Sequence, residues 1–460
     1  MNRPPLAATQ QRLFGTNGVR IVPGVSHDLD FVISLSEAIG TYFGTGEVLL
    51  GRDGRLSSPA LANAAVSGLL SSGRDVAEAG LVPTPALQYG VKAMGLRGGV
   101  MVTASHNPPH YNGLKVSGPD GVEVAHLDEQ RIEKIFFDGS QTKADWKTIG
   151  VARSEPSLVR VYLKGILSKV NARAIADRKL TVVMDLGNGA QSVAAPYLVE
   201  SLGCKLVTIN SVVDGTFPGR GPEPTPDTLK DLSSAVRSIG ADLGVAYDGD
   251  GDRAIFCDED GRILWGDQSG SFIADFVLRS HPGGAVVTTV ASSQAVEAVA
   301  KRHGARVLRT KVGSVEVSRM ILERNAVYGF EENGGCIYQP HIPVRDGGMA
   351  TALMLECLAG RGMSFSKALS FVVPRFYQAK TKVEAGPKKV EAAMKSVERQ
   401  AKGEVDRTDG IKVWTDERSW VLVRPSGTEP VVRIFAESET QEGADQLVKR
   451  FTKVVNTALS

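Results

Sequence analysis

Cysteine, net charge and long apolar runs are all in short supply in this chain, and each shortage removes a class of explanation. The four cysteines, Cys204, Cys257, Cys336 and Cys357, are widely spaced, form no CxxC pair and have apolar flanks. That usage argues against a disulfide framework or a zinc ribbon and predicts reduced thiols in the core. No stretch approaches the ~18 uncharged apolar residues of a membrane span, and Met1-Asn-Arg-Pro-Pro5 carries no apolar secretion core. The expected location is cytoplasmic. Net charge is only +2, which leaves no broad basic field for nucleic acid or a membrane surface. Basic groups that matter must act locally.

Glycine is the residue in excess, at 50 of 460, well above the usual ~7%. Its runs fall at the ends of predicted strands, which suggests tight turns and backbone-lined anion sites. A chain of this length forms two to four domains, since single cores stop growing near ~250–300 residues.

One pattern recurs three times. Val48-Leu-Leu50 reads as a strand, Gly51-Arg-Asp-Gly-Arg55 as a loop, Ser58 to Leu70 as a helix, and a second strand follows Gly73 near Val76. Leu180–Asp185, Gly187-Asn-Gly189, a helix through Leu202 and Lys205–Ile209 repeat it, as do Ala285–Val290, Ala291-Ser-Ser293, a helix to His303 and Arg306–Arg309. Strand, loop, helix, glycine cap and strand make a βαβ unit on a parallel sheet. The polar stretch from Asp138 to Glu155 reads as a linker, and Asp258-Glu-Asp-Gly261 as a second break. From Val372 the pattern changes to a strand, a charged helix from about Pro387 to Lys402, strands near Trp414 and at Trp420–Val423, and a final amphipathic helix. The expected fold class is α/β: three similar mixed α/β domains, 1–150, 151–258 and 259–371, then an α+β domain, 372–460.

Several stretches carry chemistry. Thr103-Ala-Ser-His-Asn-Pro108 follows the apolar run Gly99–Thr103 and ends in two prolines, so Ser105 is expected on a stiff, exposed turn beyond a strand end, where a nucleophile belongs. Asp248-Gly-Asp-Gly-Asp-Arg253 follows another apolar strand. Three alternating carboxylates repel one another unless a cation sits among them. A calcium hand is excluded because its sixth position, which requires glycine, is Arg253, and a strand precedes the loop where a helix should. Mg²⁺ beside a phosphate suits three Asp and an Arg better. Arg424-Pro-Ser-Gly-Thr-Glu-Pro430 offers a guanidinium, two hydroxyls and exposed backbone as an anion cradle. Tyr328-Gly-Phe-Glu-Glu-Asn-Gly-Gly335 sets carboxylates and an amide on a glycine-bracketed loop suited to a polyhydroxy ligand. Phe14-Gly-Thr-Asn-Gly-Val-Arg20 and Tyr111-Asn-Gly-Leu-Lys115 add a turn with Arg20 and a lysine able to fold back towards Ser105. Taken singly, most of these are ordinary solvated turns.

Together, in this order and spacing, they resemble the α-D-phosphohexomutases over essentially the whole chain, most closely the archaeal-type phosphoglucosamine, phosphoglucose and phosphomannose mutases. The resemblance implies a fourth domain of TATA-box-binding type and a central cleft. It implies Ser105 as a phosphoserine, with Asp248, Asp250, Asp252 and a Ser105 phosphate oxygen holding Mg²⁺. Arg253, His106, Lys115 and Arg20 would surround the transferring phosphoryl group, with Lys115 as general acid/base. Glu331 and Asn333 would bind sugar hydroxyls, Arg424, Ser426, Gly427 and Thr428 the non-reacting phosphate, and Lys311 and Gly313 would line the cleft. The implied partner is a small sugar phosphate, with a hexose 1,6-bisphosphate as intermediate and activator, and oligomeric state is left open. Phe330, Gly335 and Ile21 depart from common patterns, where glycine, histidine and glycine respectively are frequent. They leave the sugar undetermined. A metal-dependent sugar phosphatase and an inactive sugar-phosphate sensor are the competing readings.

Overall fold

The computed structural model describes residues 12–15, 17–426 and 431–459. Four sheets divide the chain. The first has six strands in the order Val19–Ile21, Asn112–Ser117, Gly98–Val102, Val48–Arg52, Val76–Leu81 and Ala152–Ser154. The second runs Ile263–Leu264, Ala254–Asp258, Leu243–Tyr247, Thr181–Asp185, Lys205–Ile209, and the third Arg306–Thr310, Ala285–Thr289, Tyr328–Phe330, Cys336–Tyr338, Ile342–Arg345. The fourth is wholly antiparallel: Tyr377–Glu384, Val431–Ser438, Ser419–Pro425, Ile411–Asp416, Val405–Asp406.

The predicted repeat is present in three dimensions, and it extends one step beyond the βαβ unit. In each of the first three sheets, a central strand pairs in parallel with the strand that opens the unit and antiparallel with the strand after it. The connecting hairpin carries 103–111 in the first unit, 248–253 in the second and 331–335 in the third. Three chemically different motifs therefore occupy one topological position.

The units share a core. A continuous apolar cluster joins Leu49, Leu87 and Tyr162 to Leu198, Tyr247, Phe272, Met349 and Phe365. The helix Gly347–Ala359 lies at its centre, almost every residue buried, as its near-uniform hydrophobicity requires. Asp346 caps this helix through Met349 N at 2.9 Å, and a Cβ on Gly347 would come within 2.8 Å of Gly251 O. The helix start is thus pressed against the 248–253 hairpin. The fourth unit has its own core, built from Ala393, Val397, Val421, Val432, Phe451 and Val455. It meets the third unit through Val290, Ala291, Trp420, Leu422 and Phe435. There Lys412 is buried, donates to Val290 O at 2.8 Å and stands 3.8 Å from the Trp420 ring centroid.

Several expectations shift. The polar "linker" contains a strand, Ala152–Ser154, parallel to Val76–Leu81, so the first sheet runs past residue 150. The second sheet runs a few residues past the turn at Asp258–Gly261, since Ile263–Leu264 returns to pair with Phe256 and Cys257. Both edge strands are too short to show a periodic pattern. The strand placed at Val372 starts at Tyr377, because Phe365–Val372 is helical, and Val431–Ser438 was missed. All four cysteines are buried and unpaired, as expected.

Candidate functional site

Ser105 follows the buried strand Gly98–Val102, but it is not exposed. It is 2% accessible and adopts φ +51°, a left-handed conformation costing an L-residue roughly 1–2 kcal/mol. Neighbours hold it there. Ser105 N donates to Thr103 Oγ1 at 2.8 Å, and Thr103 Oγ1 donates to Asp53 Oδ2 at 2.7 Å. Arg55, fully buried, pairs with Asp53 at 3.0 Å. It also donates to four carbonyls of the hairpin: Ser105 and Asn107 through Nη2 at 2.6 and 2.7 Å, and Pro108 and Tyr111 through Nη1 at 2.7 and 3.0 Å. No motif pointed to Arg55. Its only signal was a second arginine in the glycine-bracketed loop 51–55.

Ser105 Oγ donates to Asp248 Oδ2 at 2.8 Å, across 143 residues of sequence. Gly249 permits the approach, since a Cβ there would sit 2.6 Å from Ser105 O. Asp248, Asp250 and Asp252 are buried, each with a carboxylate oxygen within 4.8 Å of the others. Lys115 lies on the strand Asn112–Ser117 rather than a free loop, 2% exposed, with Nζ 2.7 Å from Asp250 Oδ2 and 3.0 Å from Asp252 Oδ2. Thr84 Oγ1 adds a bond to Asp250 Oδ2 at 2.6 Å.

The electrostatics follow from this crowding. Burial and the charges of Asp252 and Asp250 push Asp248 up to about 8. Burial would lower Lys115, yet Asp250 and Asp252 outweigh it and the ammonium is held above its ordinary value. His106 Nδ1 is 3.5 Å from Ser105 Oγ. The nearby Arg253 charge, then burial, hold its ring well below the usual histidine range. Arg20, half-buried beside Thr103 O at 3.4 Å, is lowered to about 10 by burial, with Asp250 opposing. Arg253 is buried, 3.8–3.9 Å from Asp252 and Asp248, and its Nε has no hydrogen-bond partner.

The donor set fits a divalent cation. Asp250 Oδ1 and Asp252 Oδ1 are buried without any donor, a costly state unless a positive charge is supplied. All the ligands are oxygens, which favours Mg²⁺ over a softer metal.

The 331–335 hairpin reaches the same place. Arg345 bridges Glu331 and Asp252, and Gly335 forms a β-bridge with Arg253. Glu331 is buried, while Asn333 is half-buried with Oδ1 accepting from Gly335 N at 3.1 Å. Arg424, at the end of the strand Ser419–Pro425, lies 2.8 Å from Asp409. Asp409 in turn accepts from Val312 N at 3.0 Å, between the exposed Lys311 and the buried Gly313. Ser314 Oγ accepts from Asn17 Nδ2 at 3.1 Å, which links this segment back to the turn carrying Arg20. Ser426 is half-buried. Gly427 and Thr428 fall outside the described residues.

A strained serine against an aspartate triplet, with lysine, arginine and histidine around it, is the equipment of a phosphoryl-transfer enzyme. Sequence models of phosphoglucomutase/phosphomannomutase match in four consecutive pieces: alpha/beta/alpha domain I at 11–143, domain II at 160–261, domain III at 265–376 and the C-terminal domain at 379–454. The chain belongs to this family, the α-D-phosphohexomutases. It is similar to a phosphoglucomutase/phosphomannomutase of Thermococcus kodakarensis, 42% identical over 97% of this chain and 99% of that protein. It is also similar to a phosphoglucosamine/phosphogalactosamine mutase of Sulfurisphaera tokodaii, 41% identical over 96% and 99%. A crystal structure of a phosphoglucomutase/phosphomannomutase family protein from Burkholderia thailandensis superposes with a TM-score of 0.87 at 28% identity, covering 97% of each chain. Among the described residues no helix is long and apolar enough to cross a membrane.

Proposed function

We propose that this phosphohexomutase moves a phosphoryl group reversibly between positions 1 and 6 of a hexose phosphate. The preferred conversion is glucosamine 6-phosphate to glucosamine 1-phosphate, through phospho-Ser105 and a hexose 1,6-bisphosphate. The observation that carries this reading is the 2.8 Å contact between Ser105 Oγ and Asp248 in a buried cluster that also holds Lys115. A serine placed there is an acceptor and donor of phosphate, since phosphoryl transfer needs positioning and charge neutralisation above all.

Asp248, Asp250 and Asp252 would hold Mg²⁺, which when bound supplies positive charge to the transferring phosphoryl oxygens. In the first half-reaction the sugar hydroxyl oxygen bonds to phosphorus as the Oγ–P bond breaks. Lys115 would give its ammonium proton to Ser105 Oγ and take up the hydroxyl proton in turn, ending the half-reaction as it began. Arg253, with its unpaired buried Nε, and Arg20 face the phosphoryl oxygens. His106 acts there as a hydrogen-bonding group beside Ser105. Glu331 and Asn333 take the sugar hydroxyls, and Arg424, Ser426, Gly427 and Thr428 the far phosphate, beside Lys311 and Gly313. The bisphosphate then turns end for end and returns its other phosphate to Ser105. The burial of Ser105 supports transfer to a sugar over hydrolysis, against a phosphatase, and an intact serine and lysine argue against a mere sensor.

A glucose/mannose phosphomutase is the second reading, favoured by the Thermococcus relative. The test is kcat/KM for glucosamine, glucose and mannose 6-phosphates with a bisphosphate activator, together with intact-mass detection of phosphate on Ser105. Ser105→Ala should abolish turnover while sugar-phosphate binding survives. Full mutase activity in that variant would remove the mechanism.

A further inference from the structure

No motif singles out Arg345, yet it touches both sides of the site. It ends the strand Ile342–Arg345 with its side chain 6% exposed. Nη2 donates to Asp252 Oδ2 at 2.6 Å, the same oxygen that accepts from Lys115, and Nη1 donates to Glu331 Oε2 at 3.1 Å. One guanidinium therefore spans the hairpins of the second and third units.

Gly335 packs against the Arg345 stem. Its φ is not positive, so conformation alone does not demand glycine. Space does: a Cβ would lie 2.4 Å from Arg345 Cδ, 3.0 Å from Cγ and 3.2 Å from Glu331 Oε2. The arginine stem has nowhere to move, because its far end is fixed by two buried carboxylates. Gly335 is fixed as well, through Glu331 N to Gly335 O at 2.8 Å and the bridge to Arg253.

We propose that Arg345 is a positioning residue for sugar recognition, locking Glu331 to Asp252 in one frame, and that position 335 is glycine to make room for it. The proposal rests on the phosphohexomutase reading. With Oε2 taken by Arg345, Glu331 presents Oε1 to a hydroxyl of the hexose phosphate. Without the guanidinium, the buried carboxylate would turn freely and favour its neutral form, losing its strength as an acceptor.

The test is a double-mutant cycle on the full chain. Calorimetric Kd values for glucosamine 6-phosphate and glucose 6-phosphate would be measured alongside Tm, KM and kcat. Arg345→Met should weaken binding ~10- to 100-fold, the loss of a charge-assisted hydrogen bond. Gly335→Ala should lose a similar factor. The double variant should bind no worse than Arg345→Met, since the alanine methyl then meets no fixed stem, and Arg345→Lys should recover part of the affinity. Losses that multiply in the double variant, or a Kd at the wild-type level in Arg345→Met, would overturn the proposal, as would a fall in Tm without a change in Kd. If Arg345→Met does not fold, Gly335→Ala decides: unchanged Kd sinks the proposal, and weakened Kd at unchanged Tm supports it. A wild-type protein that binds neither sugar phosphate faults the functional reading instead.

Discussion

The serine hairpin and the Arg424 strand end are tied down very differently. The first is held by Arg55 through four carbonyl bonds and an ion pair, all inside the protein. The second is held by an ion pair to Asp409, with both side chains partly accessible, in a unit whose core is separate from that of the other three. In the proposed mechanism the hairpin that would carry the phosphoryl group is anchored inside the protein, and the strand end that would take the far phosphate is anchored by a partly accessible ion pair. That division suits a bisphosphate that turns over between two half-reactions.

The sharpest way to break the contrast is Arg55→Met. It leaves Asp53 buried without its cation and removes a donor from four carbonyls, of which Pro108 O keeps Tyr111 N. We expect a loss of about 3–5 kcal/mol in denaturant unfolding, with phosphorylation of Ser105 falling in parallel. Lys412→Met tests the docking of the fourth unit. Burial, then the nearby Arg309, lowers Lys412 to about 7 from its ordinary 10.5. Between those values the unfolded chain carries a proton that the folded one lacks. Stability therefore climbs with pH across that window, by at most ~1.4 kcal/mol per pH unit, and Lys412→Met should flatten the slope in Tm measured from pH 7 to 10. Asp409→Ala frees both Arg424 and Val312 N. A cost of about 1 kcal/mol is expected, with faster proteolysis confined to residues after 372. The smallest effect separates two inactive variants: at φ +51°, Ser105→Gly should be about 1 kcal/mol more stable than Ser105→Ala, read by chemical denaturation.

Legibility in the sequence followed the range of the interaction. Ser105, the Asp248–Asp252 triplet and Glu331 stood out because each sits in a local run of unusual residues after an apolar strand. The βαβ repeat was visible for the same reason. Arg55 and Arg345 were invisible, being single arginines whose partners lie up to 56 and 93 residues away. The burial of Ser105 was misread because the proline pair signals a surface turn, whereas the second unit's Gly249 closes over it. Short edge strands such as Ala152–Ser154 carry too few residues to display a period.

The threefold reuse of one hairpin also bears on how such enzymes diversify. Under the proposed roles, catalyst, cation ligands and sugar reader sit in separate copies of the same scaffold. On that reading, edits to the third copy around Gly335 would retune the carbohydrate preference while the first two copies, and with them the reaction, stay unchanged.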